Sequence, residues 1–361
     1  MLIVILVIIG LSVLILGHEA GHFFAAKLLG MKIEEFGLGL RFGWESRIYS
    51  KKINGIEYSV NWLPLGGFVR IAGENDPSLS DESKGQAAGK TEPLTAEEKK
   101  GLFHFRPAWQ RALVLFSGVA ANVVMGWLLL SLVFFVGAPS ALSINGIQKN
   151  SPAEKAGLLT GDIIEYYANG SDFIKFVNDN RGKPIILNVL REGKELSFNV
   201  VPRVETAPGE GAVGVELVEG GPVAESLPNA LYDGLTLSLR ILGLIYAALY
   251  QLVAGLLLRG SLLPGLVGPI GIVAVATGTS KLGFIYLVSI LSQISLSLAV
   301  VNFIPFPALD GGQFFLILVE KIKGSRAFSR KAEAAINAFG LAFLIILILL
   351  ISVRDFANYV L

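Results

Sequence analysis

The sequence predicts a mainly α-helical polytopic membrane protein with four transmembrane helices, a membrane-associated β-hairpin or sheet and one inserted extracytoplasmic α+β domain. Of its 361 residues 53% are hydrophobic and only 16% are charged, and the mean hydropathy is +0.61. That is too apolar for an ordinary soluble domain. Four apolar runs reach the ~20 residues that a spanning helix requires. Between the second and third runs, strand-like alternation marks a soluble insertion.

The first span is predicted over residues 1–29. A signal peptide is the alternative, but no basic region precedes the apolar run and no small-residue cleavage site precedes His18. The first cation is Lys27. The excess of positive charge on cytosolic loops therefore places Met1 outside and Lys27 in the cytosol.

The other spans are predicted within residues 108–136, 282–319 and 335–353. A short basic connection between the last two marks the cytosolic side; it contains Lys321, Lys323, Arg326, Arg330 and Lys331. Four spans starting outside leave 30–107 and 310–334 in the cytosol. They also leave the linker 207–281 outside, together with the soluble insertion.

A fifth apolar run, residues 234–258, lies in that linker and is also long enough to cross. If it crossed, the direction of the next span would reverse and the basic connection would lie outside. We therefore expect this run to form a helix that lies in the membrane interface or re-enters the bilayer.

Two of the three histidines stand at the end of the first apolar run, in His18-Glu19-Ala20-Gly21-His22. The spacing of four residues puts His18 and His22 on one helix face, where both can bind one divalent metal. Glu19 is adjacent, as the general base for an attacking water would be. Ionisable groups at membrane depth are costly, at about 2.5–3.5 kcal/mol each on insertion scales, and mark function. The motif therefore predicts a zinc site.

A catalytic zinc ion takes three protein ligands and leaves one position open. The spacing of metzincins would put the third at Leu28, which cannot bind a metal. Asp310 is the favoured ligand, because it follows a proline-broken apolar run and precedes two glycines, a pattern that suits a polar cavity. His104 is the alternative.

The histidine motif, combined with Asn302-Phe-Ile-Pro-Phe-Pro-Ala-Leu-Asp310-Gly in a late span, resembles the site-2 protease family of intramembrane zinc metalloproteases. The resemblance implies that His18, His22 and Asp310 bind Zn²⁺, that Glu19 is the base and that Asn302 contacts substrate. Gly118-Val119-Ala120-Ala121-Asn122 is similar to a G-P-x-x-N element of that family, with valine in place of proline.

The family resemblance also implies an activity and a location. We expect hydrolysis of single-pass transmembrane substrates, such as anti-sigma factors or signal-peptide remnants, in a bacterial plasma membrane, surrounded by membrane lipids and with the active site toward the cytosol.

The insertion, residues 140–206, contains Ser151-Pro-Ala-Glu-Lys-Ala-Gly-Leu-Leu-Thr-Gly-Asp-Ile-Ile, which resembles the signature of PDZ domains. Such domains add an extended peptide to a sheet edge and can capture a C-terminus. We expect one extracytoplasmic PDZ domain that binds or gates peptides; a simple spacer is the alternative. The bacterial regulator of sigma-E protease, which this chain also resembles, carries two PDZ domains in tandem, so the single copy here departs from that type.

The cytosolic region 30–107 contains Asn54-Gly55, a two-residue hairpin signal, and the apolar segment around Gly66 and Gly67. In the related proteases this region dips into the membrane beside the zinc, so Gly66 and Gly67 are expected to contact substrate. Residues 75–100 are rich in Ser, Gly, Glu and Lys, which predicts a mobile loop.

Other classes of function are disfavoured. The net charge is +1 with no basic stripe, so no nucleic-acid partner is expected. The chain has no cysteine, which leaves only nitrogen and oxygen ligands for a metal. A transporter would also break helices at membrane depth, but no inverted repeat is visible. A catalytically inactive PDZ adaptor would not need Glu19.

Overall fold

A computed structural model describes residues 2–40, 47–74, 95–138, 141–167, 169–191, 194–206, 210–259, 268, 271–273, 284–324 and 328–359. Within these residues, five helices are long and apolar enough to cross a membrane: Val4–Leu28, Ala108–Val136, Leu227–Leu252, Phe284–Phe303 and Ala332–Ala357. The chain is a multi-pass membrane protein. Four of the five helices correspond to the predicted spans.

The fifth candidate belongs to one uninterrupted helix, Leu227–Arg259, which covers the run expected to be interfacial or re-entrant. It begins seven residues before that run. A re-entrant segment must turn back within the membrane, and no such turn interrupts the helix up to Arg259. Residues 260–267 lie outside the described part of the chain.

The chain divides into two compact units. The first contains Met1–Leu128, Thr236–Leu266 and Leu291–Ile351, and the second contains Leu129–Leu235, Val267–Ile290 and Ser352–Leu361. The helices are α1 (Leu2–Leu28), α2 (Ala96–Gly101), α3 (Ala108–Val136), α4 (Pro152–Ala156), α5 (Gly170–Asp179), α6 (Leu227–Arg259), α7 (Phe284–Phe303), α8 (Asp310–Lys323) and α9 (Arg330–Tyr359).

The first unit contains a four-stranded sheet in the order β2-β3-β1-β4. Its strands are β1 (Ile33–Leu40), β2 (Arg47–Ile53), β3 (Ile56–Asn61) and β4 (Leu63–Ile71). Asn54 and Gly55 have φ angles of 50° and 84° and join β2 to β3 with Ile53 opposite Ile56, so the predicted two-residue hairpin is confirmed. Among the described strands, β4 pairs with β1 alone and therefore forms one edge of the sheet.

The predicted loop over residues 75–100 is wrong at its C-terminal end. Residues 96–101 form α2, which begins with a capping box in which Thr95 and Glu98 bond each other's backbone N–H. The polar composition of residues 96–101 is therefore that of a solvated, capped helix. Residues 75–94 lie outside the described part.

Close packing of α1 on α3 shapes the site. A Cβ atom at Gly21 would lie 2.4 Å from the carbonyl oxygen of Ser117, so only glycine permits this approach. Beside the contact, a core of Phe23, Met31, Ile33, Val114 and other apolar residues joins the two helices to the sheet.

In the second unit, residues 141–220 form an antiparallel sheet in the order β8-β7-β6-β5-β9. Its strands are β5 (Ala141–Ile147), β6 (Ile163–Ile164), β7 (Ile185–Arg191), β8 (Lys194–Val200) and β9 (Val215–Gly220). The sheet extends beyond residue 206, the expected domain boundary, because β9 pairs with β5 across about 70 residues of chain. Non-local pairing of this kind leaves no local signal in the sequence.

The segment that resembles a PDZ signature has a clear structural role. Ser151 caps α4 by accepting a hydrogen bond from the Glu154 N–H at 3.1 Å, and Gly157 ends the helix with a φ of 88°. Asp162 accepts a hydrogen bond from the Leu159 N–H and a bidentate pair from Arg191. The signature therefore encodes a capped helical turn and supplies the buried carboxylate of an ion pair with Arg191.

Candidate metal centre

Helix α1 presents His18 and His22 on one face, with ring centroids 4.8 Å apart. Both side chains are buried, with residue exposures of 8% and 6%. They face α3, where Gly118 leaves room for the rings. A Cβ atom there would lie 2.3 Å from His22 Nε2 and 2.8 Å from His18 Cε1. The histidine pair thus occupies the space that a larger side chain on α3 would fill.

Asp310 reaches the histidines because the chain breaks between α7 and α8. Prolines 305 and 307 follow the end of α7 at Phe303 and cannot supply helical N–H groups. Ala308 then adopts a φ of 72°, and its N–H donates to Asn337 Oδ1 at 3.2 Å. Asp310 is the first residue of α8. The predicted proline break is therefore confirmed, and it places the carboxylate of Asp310 at the start of α8.

Three donor atoms form a nearly equilateral triangle. Asp310 Oδ2 lies 3.0 Å from His18 Nε2 and 3.2 Å from His22 Nε2, and the two nitrogens are 3.2 Å apart. Tetrahedral zinc with bonds of about 2.0–2.1 Å needs ligand–ligand distances of about 3.3 Å. Zinc therefore fits after an expansion of a few tenths of an ångström.

The chemistry of the donor set also suits a cation. Asp310 Oδ2 is buried and, among the described residues, meets no donor with hydrogen-bonding geometry. A buried anionic oxygen that accepts no hydrogen bond is costly, and a bound cation would satisfy it. Among the described residues, this triad is the group of three potential ligands that could hold a metal. His104, the predicted alternative ligand, does not belong to it and packs edge-on against Phe103.

Glu19 is held beside the triad by strand β4. Its Oε2 accepts a hydrogen bond of 3.0 Å from the backbone N–H of Val69. The strand also carries Gly67, where a Cβ atom would lie 3.4 Å from Glu19 Cγ. Glycine at this position lets the backbone of an edge strand run past the carboxylate.

Two further polar side chains lie near the site. Asn302, close to the end of α7, places Nδ2 3.5 Å from His18 Nε2. Glu74, which follows β4, is partly buried. Burial raises the pKa of its carboxyl to about 7 against the charge of His22, which lowers it, while Asp310 and Glu19 raise it further. Nothing in the sequence singled out Glu74.

The outer nitrogens of both histidines also have neighbours on α3. His22 Nδ1 lies 2.8 Å from the Val114 carbonyl oxygen, and His18 Nδ1 lies 3.2 Å from Asn122 Nδ2. The sequence element Gly118-Val-Ala-Ala-Asn122 identifies Asn122. The carbonyl of Val114 has no signal in the sequence. Contacts of this kind orient the rings of metal-binding histidines.

The fold and the site together define a membrane-embedded zinc metalloprotease. Comparison with known proteins gives the family: residues 6–347 match the model of Peptidase family M50. The chain belongs to Peptidase family M50.

Individual relatives are similar over nearly the whole chain. The Regulator of sigma-W protease RasP of Bacillus subtilis is 26% identical, covering 98% of this chain and 97% of the relative. A candidate zinc metalloprotease of Nostoc is 33% identical, with coverages of 96% and 93%. The chloroplast membrane metalloprotease ARASP of Arabidopsis thaliana is 29% identical, with coverages of 96% and 76%.

Proposed function

We propose that His18, His22 and Asp310 hold the zinc ion of this protease and that Glu19 is its general base. The observation that carries the proposal is the triangle of donor atoms, 3.0 to 3.2 Å on each side, with Glu19 next to His18 in the same helix. When bound, zinc acidifies water and polarises the carbonyl oxygen of a scissile peptide bond.

The residues around the metal have separate tasks in this proposal. Glu19 takes a proton from the attacking water and returns it to the leaving amine. The N–H of Val69 keeps the carboxylate of Glu19 turned toward the site, since the two atoms are 3.0 Å apart. The Nδ2 group of Asn302 lies 3.5 Å from His18 Nε2 and would donate a hydrogen bond to the substrate backbone.

Strand β4 would present the substrate to these groups. A transmembrane helix hides its peptide bonds within its own hydrogen bonds, so cleavage requires local unwinding. An unwound segment can pair with a sheet edge, and β4 is an edge that bonds Glu19 directly. Gly66 and Gly67 would then let the substrate backbone approach closely. This account predicts extended, not helical, substrate at the zinc.

We propose single-span membrane proteins as the substrates. RasP is named as a regulator of sigma-W, which favours regulatory targets such as anti-sigma factors; signal-peptide remnants are a second class. The transporter alternative loses its support, because the chain matches a peptidase family over residues 6–347. An inactive PDZ adaptor would not need a carboxylate beside the triad, so the position of Glu19 disfavours that alternative.

The orientation follows from charge. In a bacterial plasma membrane, the basic connection after α8 and the cations that follow the histidine motif would lie in the cytosol, with residues 141–220 outside. The active site would then open toward the cytosol. Single cysteines introduced at Asn180 and at Ser325 should react with an impermeant reagent from opposite sides; reaction from the same side would mean that α6 crosses.

We further propose that residues 141–220 are a PDZ domain. Support comes from the five-stranded antiparallel sheet and its two helices. Strand β9 is an edge, and its Glu219 accepts a hydrogen bond of 2.6 Å from the Gly170 N–H at the start of α5. A peptide or C-terminus that added to β9 would therefore lie along α5. A simple spacer would not need a strand edge beside a helix.

The test of the proposed activity uses purified protein in liposomes together with a single-span substrate. Cleavage should occur within the membrane segment, stop after zinc is removed with a chelator and return when zinc is added back. Mass spectrometry of the products locates the cut. Cleavage that survives full removal of zinc, or that falls only in loops, would contradict the proposal.

A further inference from the structure

Asn122 lies in α3 behind the first histidine. Its side chain is fully buried, with an exposure of 0%, and Nδ2 is 3.2 Å from His18 Nδ1. Oδ1, at the other end of the amide, is buried and has no hydrogen-bond partner among the described residues. Buried polar groups are normally hydrogen-bonded, so an amide with an unpaired oxygen and a histidine nitrogen as its neighbour requires an explanation.

The tautomer of His18 determines which end of the Asn122 amide it needs as a neighbour. If Nε2 binds a metal, it must offer a lone pair, and the neutral ring then carries its proton on Nδ1. That N–H requires an acceptor. The Nδ2 group of an amide is a donor, but a half-turn of the amide exchanges it for Oδ1, and the two ends have nearly the same shape.

We propose that Asn122 is a positioning residue for zinc. In the loaded enzyme its Oδ1 accepts the Nδ1–H of His18 and thereby selects the tautomer whose Nε2 faces Asp310 and His22. This inference rests on the proposed role of His18 as a ligand. It adds the group that prepares His18 for that role.

The second histidine shows the same arrangement with a backbone acceptor. His22 Nδ1 is 2.8 Å from the Val114 carbonyl oxygen. Val114, Gly118 and Asn122 are spaced by four residues, so they form one stripe of α3. Along this stripe, the Val114 carbonyl and the Asn122 amide flank a glycine that makes room for both rings. One helix face therefore supports both imidazoles from behind.

A packing role for Asn122 can be separated from this one. Its backbone carbonyl accepts a hydrogen bond of 2.8 Å from the hydroxyl of Ser295, which ties α3 to α7 without involving the amide. Ser295→Ala removes that tie and keeps the contact to His18. It is therefore the matched control for any effect of Asn122 on helix packing.

The experiment measures zinc affinity by competition with a chelator in purified protein. Asn122→Leu removes the acceptor at similar size, and zinc affinity should fall by about 10–100-fold, the usual effect of losing such a partner. Asn122→Asp keeps an acceptor, so its affinity should stay close to that of the unaltered protein. Ser295→Ala should also bind zinc normally. Equal affinity in Asn122→Leu, or an equal loss in Asn122→Asp, would overturn the inference.

A second measurement reads the tautomer of His18 directly and leaves Asn122 unaltered. The chain has three histidines, so labelling their ring nitrogens with ¹⁵N gives few signals, and His18→Ala assigns one pair. In the zinc-loaded protein, His18 Nδ1 should carry a proton; an unprotonated Nδ1 would refute the role of Asn122. Absence of zinc binding by the unaltered protein would instead refute the proposed metal site, so the two failures can be distinguished.

Discussion

Replacing Gly118 by alanine should weaken zinc binding without unfolding the protein. The new Cβ would lie 2.3 Å from His22 Nε2, 2.5 Å from His22 Cε1 and 2.8 Å from His18 Cε1. Comfortable separations between such atoms are about 3.5–4.0 Å, so the rings must move by roughly 1 Å. A binding site needs its ligands held within about 0.5 Å. We expect zinc affinity to fall about 10–100-fold and cleavage about 100-fold or more.

The control is Gly126→Ala, on the same helix. There the three atoms nearest to the new Cβ belong to Leu296 and Ser292, with Leu296 Cγ at 2.6 Å. Both substitutions overpack a helix contact, at about 1–3 kcal/mol each, so thermal unfolding should be similar for the two. Zinc affinity, measured by chelator competition, should fall only in Gly118→Ala. Unchanged affinity in Gly118→Ala, or an equal loss in both variants, would refute the reasoning.

Three other predictions follow from the same geometry. Asp310→Ala should lower the zinc content of purified protein, because it removes one corner of the donor triangle; a normal content would return attention to His104. Val69→Pro removes the N–H that holds Glu19, so the rate of cleavage should drop while zinc content stays normal, and an unchanged rate would exclude a role for this bond. Deleting residues 141–220 tests the gating role expected of this domain. Without the domain, cleavage of a substrate with a large external domain should rise relative to cleavage of a trimmed one, and an unchanged ratio would leave the domain as a docking site or a spacer.

Much of the candidate metal centre could be predicted from the sequence, because its strongest signals are local. The spacing of His18 and His22 is a property of one helix, and Pro305 and Pro307 mark the break that delivers Asp310. The hairpin at Asn54-Gly55 is local in the same sense. Each of these features depends on a few consecutive residues whose conformational preferences are strong.

The supporting contacts could not be predicted, because they join distant parts of the chain. Asn122 meets His18 across 104 residues, and Val69 meets Glu19 across 50. Both contacts depend on how α1 packs against α3 and β4. A glycine such as Gly21 permits close packing, but its sequence position does not say which helix packs there. The contribution of a backbone N–H or carbonyl is also independent of its side chain. Such groups leave no trace in a sequence.

The central claim is that Glu19 performs chemistry at a zinc ion that it does not bind. The most direct test measures zinc content and cleavage of a transmembrane substrate in the same preparations of the unaltered protein and of Glu19→Gln. The account predicts an equal zinc content in both and a loss of cleavage of at least about 10²–10⁴-fold in Glu19→Gln. Substantial cleavage by Glu19→Gln, or an unaltered protein that cleaves without zinc, would contradict it.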